Sequence, residues 1–186
     1  MDRLAINNIL RLNELGSELE HERASSLFLR LRKLEQEDSS YVPIREHLKN
    51  LMLKYEQKYW SDESKITDGQ IKESDLAELF IQAENEFHFK RKELIKNKLK
   101  KLGLNQNDLA RILGHRKGYM SELINGLRPF SKDDIVIINR LLKINLNDLV
   151  PLFIKQEKVA HIKRTLKTIS NSKIRLTKID FDPQFV

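Results

Sequence analysis

The sequence predicts an all-α protein, and three observations lead to this prediction. Apolar residues recur at the spacing of one helix face through most of the 186 residues. Only six glycines and four prolines interrupt the chain, so long helices are possible. Polar residues that can cap a helix stand in front of several apolar stretches. Hydrophobic residues make up 40% of the chain and charged residues 33%, which is typical of a folded globular protein.

The first 92 residues are expected to form a small bundle of helices joined by short loops. Apolar spacing predicts helices over residues 3–15, 20–37, 42–59 and 74–87. Between the last two, the segment SDESKITDGQIK is polar and lacks periodicity, which predicts a loop. The residues expected to face inward in the second to fourth helices are Leu27, Leu31, Leu34, Ile44, Leu48, Leu51, Met52, Tyr55, Leu76, Leu79, Phe80 and Ala83.

A basic helix is predicted over residues 90–102 and ends at Gly103. Lys90, Arg91 and Lys92 would oppose the dipole of a helix that begins there, because the N-terminus of a helix is its positive end. We therefore expect this helix to begin earlier and to be continuous with the one before it.

Three successive helix starts carry the same capping signature. Asn105, Ser131 and Asn145 are each followed three residues later by an aspartate, as in a capping box. An apolar residue precedes each cap and another follows it by four residues, so the two can pack as a hydrophobic staple. These signals predict helices that begin directly after the three capping residues.

The helix after Asn105 is short, and a tight turn joins it to a second short helix. The first ends at Gly114, where glycine can adopt the left-handed conformation. The second is expected over residues 117–124, with Met120, Leu123 and Ile124 facing inward, and stops at Asn125. Two such helices, the second exposing polar side chains, have the geometry that enters the major groove of DNA.

The segment LNQNDLARILGHRKGYMSELINGLRPFSKDDIVIINRLLKINLNDL resembles the five-helix Cro/phage-repressor-like domain of the xenobiotic-response-element regulators. One departure is Gly118, which stands where these domains usually carry a polar side chain; relative to alanine it weakens the helix by about 1 kcal/mol. The matching residues are Gln106, Leu109, Ala110, Leu113, Gly114, Met120, Ser121, Asn125, Gly126 and Leu149.

The resemblance implies DNA-binding roles for eight residues. Gln106, Asn125 and Arg128 would contact phosphates, while Arg116, Lys117, Tyr119, Ser121 and Glu122 would face the groove. Lys117 would donate to guanine O6 and N7, and Glu122 could accept from cytosine N4. For Glu122 we favour a surface side chain without DNA contact, because a carboxylate near phosphates is costly unless it is paired. Sequence specificity usually requires a dimer, with half-sites about 34 Å apart.

The layout of the whole chain resembles that of the HigA-type antitoxins. The segment ELEHERASSLFLRLRKLEQEDSSYVPIREHLKNLMLKYEQKYW is similar to their N-terminal half, in which a helix ending in an acidic stretch leads to a second amphipathic helix. The resemblance implies a homodimer that neutralises a HigB-type toxin, a ribosome-dependent mRNA-cleaving protein, and represses their shared operon through double-stranded operator DNA. The alternative is a stand-alone transcriptional regulator whose N-terminal domain oligomerises or senses a ligand.

The net charge of +7 is distributed unevenly along the chain. Residues 1–92 contain 15 Lys and Arg against 18 Asp and Glu, residues 93–153 contain 11 against 6, and residues 154–186 contain 8 against 3. The basic second half suits a polyanion such as DNA. The acidic first half suits a toxin that acts on RNA and is therefore expected to be basic.

These observations divide the chain into an N-terminal helical interaction domain (1–89), a helix-turn-helix domain (90–153) and a basic C-terminal extension (154–186). Residues 154–168 can form a basic helix, and residues 173–181 alternate like a strand with a one-residue slip, which suggests a bulge. A lone strand is unstable and must pair elsewhere. The extension could reach DNA phosphates, cross-link a dimer or contact the toxin, and the sequence does not choose among these.

The patterns of enzymes and metal sites are missing from the sequence. Without cysteine there is no disulfide, thiolate zinc site or cysteine nucleophile. The five histidines show no metal-ligand spacing, and HExxH, P-loop, GxSxG and GxGxxG motifs are absent. The N-terminus does not read as a signal peptide, and no apolar run approaches the ~20 residues that span a bilayer. We expect a cytoplasmic protein that is not an enzyme and has no cofactor, metal or membrane partner.

Overall fold

A computed structural model describes residues 4–154 and 156–169, and within them the chain folds into eight α-helices without a strand. The predicted all-α class is confirmed. No helix in this part of the chain is long and apolar enough to cross a membrane. The helices are α1 Glu18–Leu34, α2 Val42–Tyr59, α3 Asp68–Lys101, α4 Gln106–Leu113, α5 Lys117–Ile124, α6 Lys132–Leu142, α7 Leu146–Leu149 and α8 Gln156–Ile169.

The first hydrophobic core lies between α1, α2 and the chain that precedes α1. Leu31 and Leu48, from the predicted inner faces of α1 and α2, are completely buried in it. A buried carboxylate fixes the two helices to each other, because Glu18 accepts hydrogen bonds from the Tyr55 hydroxyl and the Trp60 indole, both at 2.9 Å. Because a buried charge is stable only when it is hydrogen-bonded, these two donors keep Glu18 in the core.

The predicted helix over residues 3–15 is wrong. The structure has only a 3-10 turn there, Ile9–Arg11. Leu4, Ile6 and Ile9 all enter the first core, whereas Leu10 is 54% exposed. Leu4 and Ile6 are only two positions apart, whereas one face of a helix carries residues three and four positions apart. The backbone must therefore follow an irregular path to bury both side chains.

The long helix α3 connects the first core to the second and has 34 residues. The predicted continuity across residues 90–92 is confirmed. The loop before it is shorter than predicted, because Thr67 caps the helix by accepting from the Gln70 N–H at 3.2 Å. The predicted boundary between residues 89 and 90 falls inside α3, and the division into domains stays a prediction.

The face of α3 that packs inward differs from the predicted one. Leu76 and Leu79 were expected to be buried but are 62% and 45% exposed. Phe80 is buried, as predicted, and the other buried residues of this segment are Ala77 and Ile81. The helix therefore turns a different side toward α1, and that side also carries polar residues which bond to α1.

The second core contains the end of α3 and the helices α4 to α7, which form the predicted five-helix unit. Two of the three predicted capping boxes are present, at Asn105 and Ser131. The third is wrong, because the side chain of Asn145 makes no capping hydrogen bond. The helix predicted over residues 154–168 corresponds to α8, and the predicted strand over residues 173–181 lies outside the described residues.

Candidate DNA-binding surface

The helix α4 is held at both ends by its own sequence. Asn105 Oδ1 accepts from the backbone N–H groups of Asn107 at 2.8 Å and Asp108 at 3.2 Å. The Asp108 carboxylate in return accepts from the Asn105 N–H at 2.9 Å, which completes the capping box. At the other end, Gly114 has φ +72°, the left-handed conformation predicted for it. Gln106 thus occupies the first turn of a helix with fixed ends.

The turn between α4 and α5 is attached to α6 by a histidine that the sequence analysis did not single out. His115 Nε2 lies 2.9 Å from Asp134 Oδ1, and its ring packs against the edge of Tyr119 with centroids 5.0 Å apart. The other carboxylate oxygen of Asp134 accepts from the Ser131 N–H at 3.0 Å. Asp134 therefore caps α6 and also anchors the turn before α5. The capping pattern indicates only the first of these roles.

The helix α5 buries one face and exposes the other. The predicted inner residues Met120, Leu123 and Ile124 are confirmed, with exposures of 2% or less. The start of the helix exposes Arg116, Lys117, Gly118 and Tyr119. A Cβ built on Gly118 would have no atom within 4 Å, so this position faces open space.

Arg116 and Lys117 are available for an external partner at the exposed start of α5. In the part of the chain that the structure describes, neither side chain forms an ion pair. Tyr119 is 41% exposed, and the guanidinium of Arg128 lies over its ring, 5.4 Å from the centroid. These three predicted groove-facing residues therefore form one continuous exposed surface with Gly118.

The second half of α5 is engaged with the N-terminal part of the protein instead. Glu122 accepts a charged hydrogen bond from Arg128 and a second bond from the Tyr41 hydroxyl at 3.2 Å. Arg128 also donates to Asn7 Oδ1 at 2.6 Å. Burial, and then the negative charge of Glu122, raise the pKa of Tyr41 to about 12. Glu122 and Arg128, both named as candidate DNA contacts, thus pair with each other in this structure.

The remaining three candidate residues, Gln106, Ser121 and Asn125, line one groove beside α5. Asn125 is fixed at the end of the helix, because its side-chain amide donates to the Ser121 carbonyl at 2.8 Å. Its Oδ1 accepts from the Lys92 ammonium of α3 at 2.7 Å. The predicted DNA-binding residues therefore form an exposed group, an internal pair and a groove group.

The loop after α5 connects the helix-turn-helix unit to the first core. Leu127 is 7% exposed and belongs to the first core although it follows α5 in sequence. Arg30 of α1 donates to the Gly126 carbonyl at 2.9 Å. Gly126 has φ +71°, and a Cβ there would lie 2.9 Å from His88 Nδ1. Glycine is therefore required by both the backbone conformation and the close approach of α3.

A buried arginine lies below this loop, and sequence analysis did not identify it. Arg91 is 2% exposed and donates to the Leu149 carbonyl at 3.3 Å and to His88 Nδ1 at 3.2 Å. Its guanidinium lies over the rings of Phe87 and Phe130, at 5.3 and 5.0 Å from their centroids. Burial, and then the charge of Arg30, lower the pKa of Arg91 to about 10. The only signal in the sequence was that Arg91 would oppose the dipole of a helix beginning at residue 90, which placed it inside a longer helix.

Comparison with known proteins agrees with this geometry. A family model described as helix-turn-helix matches residues 95–149, which include the end of α3 and all of α4 to α7. This part of the chain is a Cro/repressor-like helix-turn-helix domain, a sequence-specific DNA-binding class rather than an enzyme family. Comparison of the whole chain with curated proteins and with solved structures finds no match.

Proposed function

We propose that the protein regulates transcription by binding a specific double-stranded DNA site with the exposed start of α5. The observation that supports this most directly is the exposed surface of Arg116, Lys117 and Tyr119, in which the two cations have no internal ion-pair partner among the described residues. Lys117 donates to guanine O6 and N7 in the major groove. Gln106 and Asn125, which line the same groove beside the recognition helix, contact phosphates.

The roles of Ser121, Glu122 and Arg128 follow from their surroundings. Ser121 lies in the groove beside α5, and in this proposal it contacts the backbone of the DNA. Glu122 and Arg128 neutralise each other, so the carboxylate adds little repulsion toward phosphates. Their contribution is to hold α5 against the N-terminal part of the chain.

Two alanine variants test the DNA-binding proposal. Lys117→Ala should weaken operator binding and relax base preference by about 1–3 kcal/mol at one position, whereas Gln106→Ala should weaken binding equally for all sequences. Lys54→Ala on α2, which removes an exposed lysine far along the chain, is the matched control. Unchanged binding by both test variants in a fluorescence-anisotropy titration would show that α5 is not the recognition helix.

We further propose that the protein is the antitoxin of a type II toxin–antitoxin pair. In this proposal a homodimer represses its own operon, and the N-terminal helices neutralise a HigB-type toxin that cleaves mRNA. Three observations support it: the N-terminal helices form most of the first core, they carry the acidic half of the sequence, and they lie directly before the DNA-binding domain. The net negative charge of residues 1–92 complements a toxin that must itself bind RNA.

Co-expression with the neighbouring gene tests the antitoxin proposal. We expect a stable complex on co-purification and growth arrest when the neighbour is expressed alone. Expression of the protein by itself should not arrest growth. Absence of both a complex and toxicity would contradict the antitoxin function and leave the DNA-binding proposal intact.

A stand-alone regulator is the second candidate, and one contact favours it. The bond between Tyr41 and Glu122 links the N-terminal helices to the recognition helix, so a ligand that moved the former would displace α5. A metabolite that changes operator affinity in the absence of any protein partner would support this candidate over the antitoxin.

A further inference from the structure

The groove that contains Gln106, Ser121 and Asn125 is completed by residues outside the matched helix-turn-helix segment. It has a volume of about 390 Å³ and lies between α1, α3 and the pair α4 and α5. Lys33 on α1 and Lys92 on α3 line the wall opposite α4 and α5. The groove therefore forms only when the long helix and α1 are packed against the DNA-binding domain.

The side chains around this groove are predominantly cationic. Arg30, Lys33, Lys92 and Lys96 face a single carboxylate, that of Glu37. Lys33 and Lys96 are exposed and form no ion pair among the described residues. Burial, and then repulsion by the charge of Lys96, lower the pKa of Lys92, whereas the charge of Glu93 raises it. An anion in the groove would relieve this repulsion.

Hydrogen-bond donors at the opposite wall complement the cations. The side-chain amide of Gln106 and the hydroxyl of Ser121 are both half-buried in the groove. Lys92 bridges the two walls, since its ammonium donates to Asn125 at 2.7 Å. Ammonium groups and neutral amide or hydroxyl donors together are the groups that proteins use to bind phosphate oxygens.

We propose that this groove binds the sugar-phosphate backbone of DNA next to the bases read by α5, with Lys33 of α1 and Lys96 of α3 as phosphate contacts. The proposal rests on the proposed DNA-binding function. Duplex DNA is favoured over a free phosphate because the groove is continuous with α5 and because its cations, which lie on two separate helices, can contact more than one phosphate along a strand. The N-terminal helices then contribute directly to operator affinity.

Salt dependence of DNA binding tests the proposal. The slope of log K against log salt is negative, and each lost phosphate contact reduces its magnitude by about 0.9. The double variant Lys33→Gln/Lys96→Gln should therefore reduce the magnitude of the slope by about 1.8. The affinity advantage of the wild type over this variant should therefore shrink about twelvefold between 50 and 200 mM salt. Specific and nonspecific duplexes should be affected equally. The double variant Lys49→Gln/Lys54→Gln on α2, with the same change in charge, is the control.

Three results are distinguishable once thermal melting has shown that the variants fold. A slope equal to that of the control, with Lys117→Ala still altering base preference, would overturn this inference alone. Absence of DNA binding by the wild type would overturn the proposed function itself. In the third result the slope is again unchanged, and inorganic phosphate raises the melting temperature of the wild type but not that of Lys33→Gln/Lys96→Gln. The groove would then bind free phosphate, and this too would overturn the DNA contact.

Discussion

The half-buried His88 on α3 makes folding stability depend on pH in a way that can be measured. Its Nδ1 accepts from the Arg91 guanidinium at 3.2 Å, which requires a neutral ring. Burial, followed by the charges of Arg30, Arg91 and Arg23, lowers its pKa from 6.5 to about 3. The imidazole thus stays uncharged in the folded protein at pH values where the unfolded chain binds a proton.

The direction and size of the effect follow from this difference in pKa. Between pH 6.5 and about 3 the unfolded state holds more protons than the folded state, so stability falls as the pH is lowered through this window. From pH 7 to pH 5 the protonation of the unfolded histidine alone costs the folded state about 2 kcal/mol. This figure does not depend on the exact folded pKa as long as it stays well below 5.

The variant His88→Gln removes the titrating group and keeps a side chain that can accept a bond from Arg91. Urea unfolding gives the free energy of unfolding at pH 7 and at pH 5. The decrease from pH 7 to pH 5 should be about 2 kcal/mol smaller in the variant than in the wild type. His161→Gln, on the exposed surface of α8, should behave like the wild type. An identical loss in His88→Gln and wild type would refute the reasoning, because it would mean that the folded protein accommodates a charged His88.

Two further predictions concern stability at neutral pH. Leu127→Ala should lower the free energy of unfolding by about 2–5 kcal/mol, because it leaves a cavity in the first core. Leu102 is 54% exposed, so Leu102→Ala should change the free energy of unfolding by no more than about 0.5 kcal/mol. Similar losses in the two variants would mean that Leu127 is not a core residue. Asn105→Ala should cost about 1 kcal/mol and Asn145→Ala distinctly less, since only the first side chain caps its helix, and denaturant unfolding that gave equal losses would contradict the capping geometry.

Sequence reasoning was most accurate where neighbouring residues determine the structure. Asn105 and Ser131 each bond to a backbone group three residues away, and their helices begin where the capping signals predict. Gly114 ends α4 because the left-handed backbone suits glycine better than any other residue. The inner face of α5 was equally predictable, since its three buried side chains follow helical spacing.

Sequence reasoning failed where the direction of a helix or chain depends on what packs against it. Leu76 and Leu79 are as apolar as the residues that are buried, yet α3 turns them outward. The opposite side of the helix bonds to α1 through polar contacts, including Ser26 to Asn85 at 2.6 Å and Arg23 to Glu84 at 2.8 Å. The hydrophobic pattern of α3 therefore does not predict which side of the helix packs against α1.

By itself the sequence determined the helical class, most helix ends and the position of the helix-turn-helix, because hydrophobic periodicity and capping act within about four residues. Only the tertiary structure decided which candidate DNA-binding residues are free. Glu122 bonds to Tyr41 and Arg128 to Asn7 across separations of 81 and 121 residues. The groove beside α5 likewise needs α1 and α3 in place. No local pattern encodes such pairings, because they depend on how the two cores pack together through α3 and Leu127.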